Sequence, residues 1–183
     1  VLDRKPESYG SFHGNTQLAD AKESKGTGAG MYFTFSNEQQ EAVTAKIGLS
    51  YTSVENARIN LQAEAEGKTF EDAKEQAHQI WQEYLGRIEV ETSKKEDKVK
   101  FYTGLYHALL GRGLANDVNG AYPRNDGSVG QLPMKEGKPQ YNVYNTDAAW
   151  GAQWNLSQLW TLAYPEYMSE YVSSHIQAYK DAG

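Results

Sequence analysis

Val43-Thr44-Ala45-Lys46-Ile47-Gly48-Leu49-Ser50-Tyr51-Thr52-Ser53-Val54-Glu55 is where the chain changes period. Up to this point Val43, Ala45, Ile47, Leu49 and Tyr51 fall on one side, and Thr44, Lys46, Gly48 and Ser50 on the other. That two-residue alternation is the signature of a half-buried strand. Beyond it Val54, Ala57, Leu61 and Ala65 recur at helical spacing. Thr52 and Glu55 stand three residues apart and read as a capping box, each side chain satisfying an orphan amide of the other. Strands before this stretch and helices after it predict an α+β, helix-rich fold with its main sheet at the start of the chain.

Working outward toward the N-terminus, Met31-Tyr32-Phe33-Thr34-Phe35 reads as a second strand, antiparallel to 43–51. Two strands do not form a stable sheet, so further partners are expected in residues 1–30 or outside this sequence. Residues 1–30 are polar and Gly-rich, loop-dominated with room for short strands. Gly26-Thr27-Gly28-Ala29-Gly30 is not a dinucleotide fingerprint, because a strand follows it where a helix should. The first residues have no apolar signal core and no starting Met, and they read as the middle of a longer chain or a processed product.

Toward the C-terminus, Gly67 stops the first helix and Thr69, with Asp72, caps the next. Phe70, Ala73, Ala77, Ile80, Trp81, Tyr84 and Leu85 form its apolar face, and Gly86 ends it. Ile88–Val90 is a short extended exit, and a boundary between two parts is expected near residue 90. After the charge cluster 94–98, a third helix carries Val99, Tyr102, Tyr106 and Leu109 with Phe101, Leu105 and Ala108 beside them. So wide an apolar face predicts burial among other helices. Residues 112–146 look irregular, with a hairpin-turn signal at Asn119-Gly120 and a turn at Asn125-Asp126-Gly127. A loop region this long tends to be functional. Asp147 is placed to cap one helix running through Trp150, Trp154, Leu156, Leu159, Trp160 and Ala163. Pro165 starts another, with Met168, Tyr171, Val172, His175, Ile176 and Tyr179 as its face.

The composition narrows the function. Aromatics make up 12% of 183 residues, too many for a disordered chain. The net charge of -6 and the lack of a basic face argue against a nucleic-acid partner. No apolar run approaches the roughly 18 residues of a membrane span. With no cysteine, thiol nucleophiles and cysteine-held metals are excluded. His13, His78, His107 and His175 are scattered and form no zinc pattern. His78 reads as solvent-facing and His107 as a hydrogen-bonded core histidine.

Among the carboxylates, Asp117, Asp126 and Asp147 carry most weight, since they lie in or beside the loops of the second half. The stretch Tyr141-Asn142-Val143-Tyr144-Asn145-Thr146-Asp147-Ala148-Ala149-Trp150-Gly151-Ala152-Gln153-Trp154-Asn155 mixes aromatic and amide side chains at a loop-to-helix junction. Rings stack on the C–H faces of sugars while amides and carboxylates take the hydroxyls, which fits a sugar pocket. The other reading is that Trp150 and Trp154, four apart, are core on one helix face, and spacing alone favours it. The sequon Asn155-Leu156-Ser157 falls inside an apolar helix and is discounted.

Five ordered blocks resemble glycoside hydrolase family 92, the calcium-dependent α-mannosidases. They are residues 28–35 (Gly28 to Phe35), 46–57 (Lys46 to Ala57), 81–90 (Trp81 to Val90), 101–110 (Phe101 to Leu110) and 159–166 (Leu159 to Glu166). The resemblance implies that residues 1–53 are the end of a β-sandwich, 54–92 a helical linker, and 93–183 the first helices of an (α/α)6 barrel. It further implies a secreted bacterial enzyme, periplasmic or extracellular, that removes mannose from α-mannoside glycans with inversion. One carboxylic acid would protonate the leaving oxygen and one carboxylate would activate water. A calcium ion in the full-length enzyme would bind the sugar.

The family's pocket stretch Trp-Asp-Thr-Tyr-Arg falls on Trp150-Gly151-Ala152-Gln153-Trp154, where only the Trp matches. By this resemblance Trp150 is a pocket wall, Asp147 a compensating carboxylate one turn earlier, and Gln153 and Trp154 are secondary contacts. The family's acid, base and calcium ligands mostly lie beyond the point matching Gly183, so no catalytic or metal residue is assigned and the isolated chain is expected to be inactive. The rest of its own polypeptide is then an implied partner. The alternative is a non-catalytic carbohydrate-binding or structural domain.

Overall fold

A computed structural model describes residues 1–36, 41–110, 113–146 and 149–182. The chain divides into two units, Val1–Ile47 and Gly48–Gly183. The composition of elements is mixed α+β, as the sequence predicts.

The first unit is a three-stranded antiparallel sheet in the order β2-β1-β3, formed by β1 (Ser8–His13), β2 (Thr16–Ala19) and β3 (Ala29–Thr34). β1 and β3 pair in the register Gly10↔Tyr32 and Phe12↔Gly30. The Tyr32 and Phe12 rings lie across these two glycines, where a Cβ would collide with them. Glycine at both positions lets each ring fold flat over the opposite strand.

The expected strand 43–51 is not in this sheet. Among the described residues it pairs at the Leu2↔Ala45 bridge, with Asp3 N donating to Thr44 O at 3.1 Å and Lys46 N to Val1 O at 2.8 Å. Ile47, Leu49 and Tyr51 stand 76%, 78% and 75% exposed. The physical reason is that alternation marks a face to be covered but does not supply a neighbour. The partner of β3 is β1, from the first 30 residues, instead of 43–51.

The second unit begins with α1 (Val54–Ala65), α2 (Phe70–Gly86) and α3 (Lys95–Leu109). Thr69 and Asp72 form the expected capping box on α2. On α1 the cap is Ser53, whose side chain accepts from Asn56 N at 3.0 Å, and not Thr52. Thr52 is drawn away because its hydroxyl donates to the carboxylate of Asp117.

Two short hairpins follow, β4 (Ala121–Pro123) with β5 (Val129–Gln131), and β6 (Met134–Lys135) with β7 (Lys138–Pro139). Asn119-Gly120 belongs to a turn that precedes β4, closed by Gly120 N to Asp117 O at 2.8 Å. The hairpin turn itself is Asn125-Asp126-Gly127, with Gly127 at φ 83° and Asp126 accepting from Ser128 N at 2.9 Å. The Ser128 hydroxyl, which donates to Asp126 Oδ1 at 2.7 Å, and then the Ser128 amide hold the Asp126 carboxyl below its usual value.

The single helix expected through residues 150–163 is two helices, α4 (Ala149–Ala152) and α5 (Leu156–Ala163). Asn155, at φ -159° and ψ -17°, leaves helical geometry between them. Pro165 opens α6 (Pro165–Ala182) as predicted.

The core is built from Leu105 of α3, Ala152 of α4, Trp160 of α5, Tyr164, and Tyr171 of α6. Trp160 is fully buried and donates its indole N–H to Ala108 O at 3.3 Å. Tyr164 stacks on Tyr84 with centroids 5.9 Å apart and gives its hydroxyl to Tyr84 O at 2.9 Å. The Arg87 guanidinium sits over both rings, at 4.6 and 5.2 Å from their centroids, and pairs with Glu83 and Glu166. Its hydrogen bond holds the Glu166 carboxyl below the usual value.

The expectation that α3 is buried all along its wide face fails: Leu105 alone is buried, while Val99, Phe101 and Tyr106 are exposed. The core draws on one edge of that face and leaves the other uncovered. His107 is exposed beside the Tyr106 ring, so it is not a core histidine. His78 is exposed as expected.

Candidate functional site

A partly open cavity of about 290 Å³ lies in the second unit. One wall comes from the paired segments 113–115 and 143–146, joined by the Leu114↔Tyr144 bridge and by Ala115 N to Val143 O at 2.8 Å. The β4–β5 hairpin supplies Tyr122, Arg124 and Asn125, and the last turns of α6 supply Ser174, Gln177 and Asp181. The expected loop region 112–146 thus does line a cavity, even though it contains strands.

The polar floor is tied together. Tyr122 donates its hydroxyl to Asp181 Oδ2 at 2.7 Å, and Gln177 Nε2 donates to Tyr122 Oη at 2.7 Å and to Asp181 Oδ1 at 3.0 Å. Arg124 Nε is 3.2 Å from Asp181 Oδ1, an ion pair whose N–H is not aligned as a hydrogen bond. Burial, and then the bond to Asp181, push the Tyr122 phenol up. On the far side Tyr144 donates to Glu170 Oε2 at 2.8 Å, and burial together with that carboxylate holds its phenol well above the usual range. Asn142 Nδ2 adds contacts of 3.1 Å to both Glu170 oxygens. Tyr144 N bonds to Ser174 Oγ at 2.9 Å, fixing the loop to α6.

Behind the wall, Asp117 is 2% exposed. It accepts from Ser50 Oγ at 2.9 Å, from Thr52, and from Asn60 Nδ2 at 2.7 Å. Asn60 Oδ1 in turn accepts from Val118 N at 3.0 Å. Asp117 is therefore a structural knot between α1 and the turn before β4, with both carboxylate oxygens bonded within the fold.

Of the residues singled out in the sequence, Asp147 lies outside the described residues. Trp150, Gln153 and Trp154 are all exposed, the two tryptophans at 72% and 73%, and none lines the cavity. Helix α4 ends at Ala152, so Trp154 falls outside it and the two tryptophans do not share the helix face on which they were expected as core. Tyr122, Arg124, Gln177 and Asp181 were not singled out at all. Gln177 and Asp181, four apart near the end of α6, were the available signal, but nothing in the sequence ties them to Tyr122.

Calcium binds through oxygens with free lone pairs, commonly several carboxylates at once. Among the described residues no three acidic or histidine side chains cluster. Asp117, Glu170 and Asp181 each already accept bonds from two or more donors. The described residues do not fit a calcium cage.

The sequence model of the glycosyl hydrolase family 92 catalytic domain matches residues 56–183. The chain therefore belongs to glycosyl hydrolase family 92. No curated protein matches. Among solved structures, a family GH92 α-mannosidase from Bacteroides thetaiotaomicron superposes with a TM-score of 0.77 at 18% identity, over 98% of this chain and 24% of that one. That enzyme has also been solved with mannoimidazole. The family glycosyl hydrolase ccman5 superposes with a TM-score of 0.79 at 24% identity, over 95% of this chain and 22% of that one. A second Bacteroides thetaiotaomicron protein, described as an inverting mannosidase, gives 0.72 at 24% identity, over 98% and 24%. The chain spans about a quarter of the length of these structures. At such identities the likeness establishes the fold. No helix among the described residues is long and apolar enough to cross a membrane.

Proposed function

We propose that this chain is part of a secreted, inverting, exo-acting α-mannosidase, and that it supplies one wall of the pocket for the terminal sugar. The carrying observation is the family match over residues 56–183. The exposure of Trp150 and Trp154 supports the pocket role, because two bare indoles beside Gln153 have no packing task in the described structure and suit stacking on a sugar face. Residues 1–53 act in this reading as the end of a β-sandwich, 54–92 as linker, and 93–183 as the start of an (α/α)6 barrel. Calcium in the whole enzyme is held by residues outside this chain, as are the acid and base.

The test uses the full-length gene product with α-mannobiose. Proton NMR should show β-mannose as the first-formed anomer, with activity abolished by a chelator and the enzyme recovered from the periplasm or medium. Trp150→Ala and Asp147→Ala should each lower kcat/KM at least tenfold with an unchanged Tm. Saturable glycan binding without product would favour a carbohydrate-binding domain instead, and loss of folding in Trp150→Ala would favour a structural role.

A further inference from the structure

We propose that Glu170 is a positioning residue: its carboxylate, acting through Tyr144 and Asn142, fixes the segment 142–146 that leads to the stacking surface at Trp150. This rests on the glycosidase reading above.

Glu170 stands one position before Tyr171 and four before Ser174, the buried residues of α6. The Tyr171 ring meets the fully buried Trp160 edge-on at 5.4 Å, so the helix is held by the core at this point. The Glu170 side chain is half-buried and does not itself line the cavity. Its donors nevertheless come from one short segment. Tyr144 Oη donates to Oε2 at 2.8 Å, Asn142 Nδ2 reaches both oxygens at 3.1 Å, and Asn142 N lies 3.3 Å from Oε1. An ionised carboxylate presents lone pairs alone, which suits three converging donors, and bonds to it are about twice as strong as neutral ones. An amide in its place would turn an NH2 group toward one of them.

The backbone of the same segment is pinned separately. Buried Asn116 accepts from Val143 N at 2.7 Å, and Ser174 Oγ accepts from Tyr144 N at 2.9 Å. Glu170 adds the side chains of Asn142 and Tyr144 to that hold, and the Tyr144 ring packs edge-on against Tyr167 at 4.8 Å. A segment fixed in this way is ordered before any ligand arrives, so binding does not bear that entropy. Helix α4 begins three positions after Thr146, and a shift of the segment is carried into the helix that bears Trp150.

The experiment measures kcat and KM on α-mannobiose for the full-length wild type, Tyr144→Phe, Glu170→Gln and the double variant. A displaced segment weakens the hold on the sugar in the ground and transition states alike. KM should therefore rise at least fivefold in each single variant, with kcat within twofold of wild type. A role in stability alone would remove folded enzyme, lowering the apparent kcat at unchanged KM. Ser53→Ala, which weakens the α1 cap, serves as that control and should leave KM unchanged. Both single variants remove the same bond, so the double variant should raise KM by less than the product of the two effects. An unchanged KM in either single variant overturns the proposal, as does a double effect equal to the product. If wild type does not hydrolyse α-mannobiose, the mannosidase reading fails by itself. Amide hydrogen exchange then decides the role of Glu170: at least tenfold faster exchange over 143–145 in Glu170→Gln retains it, and unchanged exchange overturns it.

Discussion

Asp117 and Asp126 look alike in the sequence, two aspartates in one loop region, and the structure gives them different work. Asp117 is buried and accepts three side-chain hydrogen bonds, from residues 57 to 67 positions away. Asp126 is a turn residue bonded to Ser128 two positions on. Asp117→Asn would set an amide donor among donors and leave at least one buried group unmatched. It should cost about 2–3 kcal/mol, read as a lower urea midpoint at unchanged m-value. Asp126→Asn should barely move that midpoint. An equal shift in the two variants would contradict the knot. This also shows why the site was only partly legible. Neither Asp117 nor Asp126, the described loop carboxylates given weight in the sequence, lines the cavity, and bonds such as Asp117 to Ser50 or Tyr122 to Asp181 join positions whose proximity no local spacing encodes.

The elements themselves were legible wherever a local rule suffices. Thr69 and Asp72 cap α2, Pro165 opens α6, and Asn125-Asp126-Gly127 turns a hairpin, each by bonds or dihedrals set within a few residues. Failures came where a distant partner competed. Thr52 and Ser53 are both good caps, and Asp117 removes Thr52 from the contest. The alternation of 43–51 is real, yet Ile47, Leu49 and Tyr51 on its apolar side stand exposed. The Trp150–Ala163 pattern is apolar at helical spacing on both sides of Asn155, and side-chain period does not report a non-helical φ. The revised cap gives a direct check. Ser53→Ala should destabilise by about 1 kcal/mol in urea unfolding. Glu55→Gln, at the position the capping box assigned, should stay within about 0.5 kcal/mol of wild type. Its ion pair with Arg58, at 4.0 Å with both side chains more than 70% exposed, adds little. The reverse order of effects would restore Thr52 and Glu55 as the cap.

Across the whole molecule, the accessible surface is 13354 Å² for 20.5 kDa. A compact monomer of that mass exposes about 8,900 Å², and two separate compact bodies with the lengths of the two units would expose about 10,400 Å² together. The excess therefore does not depend on how the units sit. Much of it is apolar: Ile47, Leu49 and Tyr51 before α1, Trp150 and Trp154 around the helix break, and Leu162 and Tyr179 of α5 and α6 are each 72% or more exposed. Helix α6 shows the pattern within one element, burying Tyr171 and Ser174 while Val172, Ile176 and Tyr179 remain in water. Large uncovered apolar faces bind something, and in a chain spanning a quarter of its structural relatives the nearest candidate is the remaining polypeptide. The 183-residue chain produced alone should thus self-associate at micromolar concentration, seen as a rising weight-average mass in sedimentation and as enhanced fluorescence of an apolar dye. The full-length protein under the same conditions should show neither. A monodisperse 20.5 kDa species that leaves the dye dark would mean that these faces need no cover, and would remove the physical argument for packing them against further polypeptide.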